Sequence, residues 1–159
     1  MIVTDTIAVR QELALKFGAE RAWNPRETGD IADQIKDLSG GRGADIVIIA
    51  TSAPGLVEQA VHCSRPGARI LLFSQTSDKE RVEVSGASIC MGERTLFGSY
   101  SASVDLQKES AKLVFSGELP LEELISHRLP LDRIQDGFDL ALHPDERSLK
   151  IIVEPQRCS

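Results

Sequence analysis

Four short runs in the first half of the chain that read as strands, three of them apolar or β-branched, alternate with segments of helical period. This alternation constrains the fold more than any other feature. Ile2-Val3, Glu20–Trp23, Ala44–Ala50 and Ala68–Phe73 read as strands. After the first, Val9, Leu13 and Phe17 recur every four residues, and Gly18 is placed to end a helix. After the second, Asn24-Pro25 is a turn and Thr28-Gly29-Asp30 opens a helix with Ile31, Ile35 and Leu38 on one face, which Ser39-Gly40-Gly41 stops. After the third, Thr51-Ser52-Ala53-Pro54 is a tight turn, and Pro54 suits the first turn of a helix carrying Val57, Ala60 and Val61. Arg65-Pro66-Gly67 is expected to end that helix. Strands separated by helices predict a parallel sheet. The continuous run ADIVIIA (44–50) reads as a parallel strand buried on both faces.

The second half is less regular. Val82–Val84 reads as a weak strand or extended loop, and Thr95–Tyr100 as a strand ending in small residues. Ser103 can cap a helix with Leu106, Ser110, Leu113 and Val114 on one side, closed by Gly117. Leu124–Leu129 reads as a short strand or extended segment before Pro130. Leu131–Leu142 is a helix by the spacing of Ile134, Phe138, Ala141 and Leu142, and Leu149–Val153 is a last strand.

Asp5 stands where the first strand stops and the first helix begins. In doubly wound α/β sheets that crevice binds ligands, and a carboxylate there can accept hydrogen bonds from the 2′- and 3′-hydroxyls of an adenosine ribose. The same carboxylate can instead cap the helix through its early N–H groups. In a dinucleotide fold the acid follows a G-x-G-x-x-G turn by about 20 residues. Here it is residue 5, and that glycine motif is absent; Gly40-Gly41-Arg42-Gly43 precedes a strand instead of following one. The expected fold is therefore an α/β, doubly wound, mostly parallel sheet that is truncated before its second strand. With strand order 3-2-1-4-5-6, loss of the first strand opens the sheet at its centre. The chain is then expected to borrow a strand, close the gap by shifting, or be part of a longer product, because open edges carry unpaired backbone groups.

Composition removes several functional classes. At 159 residues the chain is long enough to bury a core as one domain. A net charge of −6 with no Lys/Arg cluster argues against nucleic acid as a partner. No apolar run suits a membrane span and no signal peptide is evident, so a cytoplasmic location is expected. Cys63, Cys90 and Cys158 form no C-x-x-C pair and suit a reduced compartment as buried or inert thiols. His62, His127 and His143 are not at metal-ligand spacing with any cysteine, so no metal ligand is assigned.

Four stretches carry a resemblance to a known family. They are Val3-Thr4-Asp5 with Arg10 and Leu15–Ala19; Gly43–Ile48; Gly98–Ser103; and Leu124–Leu131 running on to Ser148–Val153. In this order they resemble the C-terminal half of the medium-chain dehydrogenase/reductase superfamily, nearest its zinc-dependent polyol, sorbitol and threonine dehydrogenase branch. The resemblance implies a Rossmann-type partial dinucleotide-binding domain over residues 1–159, with 119–159 as the C-terminal extension of the family fold. It implies that Asp5 is the ribose-binding acid and that Arg10 lies against adenine and ribose. An acid at this place disfavours a 2′-phosphate, so NAD is expected over NADP. Ala50-Thr51-Ser52 matches the turn beside the cofactor, with Ile49 where the family has an acid and Ser52 where it has glycine. Phe73-Ser74-Gln75 and Ser99-Tyr100-Ser101 match the segments whose backbone groups hold the nicotinamide carboxamide; a glycine is common in the family at the place of Ser74.

The family's zinc ligands and proton relay lie in an N-terminal catalytic domain, so neither zinc nor a catalytic residue is expected here. The implied function is the NAD(H)-binding portion of a zinc-type alcohol or polyol dehydrogenase. The alternative is a non-catalytic oligomerisation or nucleotide-binding remnant. Homo-oligomers of the family form through an edge strand, here Thr95–Tyr100 or Leu149–Val153. Another nucleotide fold with an acid after strand 2, such as a methyltransferase, is disfavoured by Gly98–Ser103 and Leu124–Leu131.

Overall fold

A computed structural model of the chain describes residues 1–74, 79, 81–100 and 103–156. In chain order its elements are β1 (Ile2–Thr4), α1 (Ala8–Lys16), β2 (Arg21–Trp23), α2 (Ile31–Leu38), β3 (Ala44–Ile49), α3 (Leu56–Cys63) and β4 (Ser64–Leu72). There follow α4 (Gly86–Cys90), β5 (Thr95–Gly98), α5 (Val104–Phe115), β6 (Ile125–Pro130), α6 (Ile134–Leu142) and β7 (Lys150–Glu154). Single 3₁₀ turns at Leu121–Leu124 and Leu131–Arg133 lead into β6 and α6. The chain divides into two compact units, Met1–Thr28 with Ser103–Ser159, and Gly29–Ala102. No helix among the described residues is long and apolar enough to cross a membrane.

The second unit carries the larger sheet, in the order β3-β4-β5 with every pairing parallel. Asp30 opens α2, its Oδ1 accepting from Ala32 N at 2.7 Å and Asp33 N at 3.3 Å, so the N-cap read from the sequence is formed. α2 ends at Ser39, where Gly40 and Gly41 adopt positive φ. One face of the sheet packs on α3 around Ile49, Val57, Ala60, Val61 and Ile70, and Ile70 is fully buried. Each such aliphatic side chain removed from water contributes about 1.5–3 kcal/mol.

Two expectations change here. Ala44–Ala50 is buried on one face only: Ile46 and Ile48 alternate with the core residues Val47 and Ile49 and remain 64% and 60% exposed. A continuous β-branched run marks a strand, but it does not show that something covers both faces. In addition, Arg65-Pro66-Gly67 does not end α3. The helix stops at Cys63 and β4 begins at once with Ser64, the ladder stepping from Ala44↔Ser64 to Ile46↔Arg69 through an irregularity that takes up Pro66. Val82–Val84 forms no ladder, although Val84 packs on the core.

In the first unit β1 pairs in parallel with β2, and β6 with β7. α6 lies on β6 and β7 through Gly137, where a Cβ would stand 3.3 Å from Leu129 Cδ1. Its apolar stripe of Ile134, Phe138 and Leu142 is exposed. Ser103 occupies the N-cap of α5 by backbone position, yet its hydroxyl makes no capping bond, and Leu106, Leu113 and Val114 are exposed.

β1 pairs only with β2, and β3 only with β4. Among the described residues no strand occupies the other edge of β1 or of β3, so the opening expected in the strand order is neither filled nor closed by their pairing. β5 and β7 likewise each have one free edge.

Candidate functional site

Asp5 follows β1 directly and is fixed at three points. Its N–H donates to Trp23 O at 3.1 Å, continuing the β1–β2 ladder by one step. Its carbonyl accepts from Gln11 Nε2 at 2.7 Å, which ties it to α1. Oδ1 accepts from Ile7 N at 2.9 Å, the short-range turn that aspartate favours. The capping alternative is not met: the N-cap of α1 is Ile7, two residues on and without a side-chain cap, and Asp5 Oδ1 serves the N–H of that residue ahead of the helix. Oδ2 is left with Arg10 Nη1 at 3.8 Å, an ion-pair distance beyond hydrogen-bond reach. At 28% and 37% side-chain exposure such a pair contributes about 0–1 kcal/mol. The half-buried Oδ2 thus keeps its acceptor capacity at the carboxyl end of a parallel strand, beside a cation.

Arg10 makes a second contact that the sequence did not signal. Its Nη2 donates to Ser148 O at 3.1 Å, across 138 residues of chain. Ser148 is 2% exposed and closes a tight turn ahead of β7. Its hydroxyl donates to Asp145 Oδ1 at 2.7 Å and accepts from Asp145 N at 3.0 Å, while Arg147 N donates to Asp145 Oδ1 at 2.9 Å. The Ser148 hydroxyl and the Arg147 N–H hold the Asp145 carboxyl below its ordinary pKa of 3.8.

Of the remaining expected site residues, Thr51, Ser52, Phe73, Ser74, Ser99 and Tyr100 gather at the carboxyl ends of β3, β4 and β5 within the second unit. Phe73 N and Ser74 N donate to Ile49 O at 3.0 and 3.2 Å, and the Ser74 hydroxyl donates to Thr51 O at 2.8 Å. The serine that stands where the family often has glycine therefore latches the turn after β4 to the turn after β3. Ser99 N donates to Leu72 O at 3.1 Å, adding the end of β5. A cavity of about 280 Å³ opens at the ends of β3 and β4, lined among others by Thr51, Ser52, Pro54, Val57, Ser74 and Arg81, while Phe73, Ser99 and Tyr100 are not in its lining. Phe73 and Tyr100 are exposed. Gln75 and Ser101, also expected at this site, lie outside the described residues. Arg81 had no periodic or motif signal to mark it.

No group of three His, Cys, Asp or Glu side chains among the described residues could hold a metal ion. Cys63 is 4% exposed, and burial, with the Asp30 charge, pushes its thiol up to about 11. Such a thiol is neutral and unreactive. Cys90 is exposed, and Cys158 lies outside the described residues. The described donor set does not fit a zinc site, so no zinc chemistry is assigned to these residues.

The profile of the zinc-binding dehydrogenase family matches residues 1–116. The (R,R)-butanediol dehydrogenase of Neisseria gonorrhoeae is 31% identical over 157 residues, covering 98% of this chain and 43% of that protein. The crystal structure of 2R,3R-butanediol dehydrogenase from Bacillus subtilis superposes with a TM-score of 0.85 at 24% identity, covering 98% of this chain and 43% of that one. An alcohol dehydrogenase of E. coli CFT073, crystallised with NADH, gives a TM-score of 0.80 at 26% identity over 94% of this chain and 43% of its own. The chain thus spans less than half the length of the relatives it matches. It has their Rossmann-type α/β fold with parallel strands. On the family match and the fold together, the chain belongs to the zinc-binding dehydrogenase family.

Proposed function

We propose that the chain is the NAD(H)-binding portion of a zinc-type alcohol or polyol dehydrogenase, with hydride transfer requiring a catalytic domain that these residues do not supply. The observation that carries the reading is Asp5: one carboxylate oxygen is engaged by Ile7 N, and the other accepts no hydrogen bond among the described residues, at a strand end beside Arg10. In this reading Asp5 Oδ2 accepts from the adenosine ribose hydroxyls and Arg10 lies against the adenosine. Backbone groups of Phe73-Ser74-Gln75 and Ser99-Tyr100-Ser101 hold the carboxamide, Thr51 and Ser52 lie beside it, and the bound nicotinamide supplies the hydride chemistry. The NADH-bound relative at 26% identity supports a nicotinamide dinucleotide. The ionised carboxylate favours NAD over NADP by repelling a 2′-phosphate.

The sequence contains no glycine-rich turn opening a helix after a strand, so the pyrophosphate lacks its usual cradle of N–H groups. Two hydrogen bonds to a charged group contribute about 3–6 kcal/mol between them, from which the cost of association is taken, so Kd is in the millimolar range at best. Calorimetric titration of the folded chain with NADH tests the reading, with NADPH as control and Asp5→Ala alongside. NADH binding that exceeds NADPH binding and is weakened by the substitution supports it. Absence of NADH binding by a cooperatively folded chain refutes it.

A second reading, an oligomerisation module or nucleotide-binding remnant, is favoured by one observation. The exposed face of Ile46, Ile48 and Phe73 lies beside the free edge of β3, and β5 and β7 offer further edges. Unpaired strand edges with apolar flanks favour association. Sedimentation across a concentration series, read beside the NADH titration, distinguishes it: an oligomer that binds no NADH is expected on this reading alone.

A further inference from the structure

We propose that the Asp145–Ser148 turn is a positioning element for Arg10, holding its guanidinium off Asp5 and thereby setting the preference for NADH over NADPH; this rests on the ribose site proposed above. Arg10 has two acceptors within reach. Its Nη2 donates to Ser148 O at 3.1 Å, while its Nη1 stops 3.8 Å from Asp5 Oδ2. The hydrogen bond to Ser148 is thus made at the expense of a closer ion pair with Asp5. Ser148 is almost fully buried, so its carbonyl has little access to water and calls for a protein donor. The turn that aims this carbonyl is held by its own hydrogen bonds, Ser148 N donating to Asp145 O at 3.1 Å. Asp145 Oδ1 accepts from both Ser148 Oγ and Arg147 N, and Ser148 Oγ accepts from Asp145 N.

The consequence is specific to one ligand atom. With Arg10 tethered, Asp5 Oδ2 stays open to a ribose 2′-hydroxyl and its negative charge faces any 2′-phosphate. Released from Ser148, the arginine closes on Asp5, where it competes with the ribose hydroxyl and offsets the charge that excludes the phosphate. A mobile guanidinium can also meet a 2′-phosphate directly, in the bidentate geometry that arginine favours.

Dissociation constants of the whole chain for NADH and NADPH test this in wild type, Asp145→Ala, Asp145→Asn, Arg10→Ala and the Arg10→Ala/Asp145→Ala double variant. Asp145→Ala should lower the NADH-over-NADPH preference about tenfold, or about 1.4 kcal/mol. Asp145→Asn keeps an acceptor at Oδ1 and should restore most of it. In the Arg10→Ala background Asp145→Ala should have no further effect, whereas a merely structural turn would cost the same with or without Arg10. Ser148→Ala removes two of the turn's hydrogen bonds, keeps the carbonyl and should shift the preference in the same direction, which covers the case of an unfolded Asp145→Ala. Unchanged preference in the folded turn variants, with normal NADH binding by wild type, overturns this proposal and leaves the ribose site standing. Absence of NADH binding by wild type overturns both.

Discussion

Gly43→Ala should be among the most damaging single methyl additions in the chain, and the reason lies in how β3 starts. Gly43 has φ +96°, a conformation that costs a residue with a side chain about 1–2 kcal/mol. A Cβ there would stand 2.9 Å from Arg65 N, 2.9 Å from Cys63 O and 3.0 Å from Ser64 C, all backbone atoms that cannot swing aside. This is where α3 runs without a loop into β4 and where the ladder begins with Ala44↔Ser64. Forcing a methyl into packed surroundings adds about 1–3 kcal/mol, for a total of about 2–5 kcal/mol. Gly41 is the internal control. It has φ +82° but nothing within 4 Å of its added Cβ, so Gly41→Ala should cost only the conformational part, about 1–2 kcal/mol. Urea unfolding followed by far-ultraviolet circular dichroism reads both, and Gly43→Ala should lower the midpoint by about 0.5–1.5 M more than Gly41→Ala. Equal midpoints for the two variants would refute the close approach of β3 to Ser64 and Arg65.

Three further outcomes follow from the second unit. Asp30→Ala removes the acceptor for Ala32 N and Asp33 N and should cost about 1 kcal/mol, a fall in Tm of about 2–4 °C, with Asp30→Asn close to wild type. Arg94 donates to Ser64 Oγ, Ser64 O and Ser88 O at 2.8–2.9 Å, and Ser64 is buried; Arg94→Ala should therefore cost about 2–4 kcal/mol in a urea series, and Arg94→Lys should recover only part because an ammonium cannot fork. The Cys63 thiol is raised from 9.0 to about 11 in the folded chain, so its contribution is intact below pH 9 and is lost as pH rises toward 11, by about 1.4 kcal/mol per unit. The stability of wild type relative to Cys63→Ala should accordingly decline between pH 9 and 11, and a constant difference would contradict the burial of that thiol.

The parts of the fold legible in the sequence were those with a local cause. Asp30 reads as a cap because its acceptor serves N–H groups two and three residues on, and Gly40-Gly41 as a stop because both must take positive φ. Strand–helix alternation over the first half predicts parallel pairing, as found for β1 with β2 and β3 with β4, because each run has its own period. Periodicity marks a face but not its cover, so Ile46 and Ile48 read as buried and are exposed, and Phe138 and Leu142, whose spacing marks α6, are exposed too. Arg65-Pro66-Gly67 read as a helix stop because proline and glycine usually mark one, whereas here a ladder irregularity absorbs them. The short helix α4 carries only small and mixed residues, too few for a stripe to form. At the site, Asp5 was legible from its place between strand and helix, but the Arg10–Ser148 bond joins distant segments and left no local trace.

The most direct test of the ribose site is an amide-resolved titration of the ¹⁵N-labelled chain with NADH, followed by two-dimensional NMR and repeated on Asp5→Asn, which keeps an acceptor for Ile7 N. A ribose at Asp5 requires the largest shifts at Asp5, Ile7, Arg10 and Gln11, saturating together and lost in the variant. Shifts confined to other residues, or none at NADH concentrations about tenfold above the millimolar range, would contradict a working ribose site in this chain.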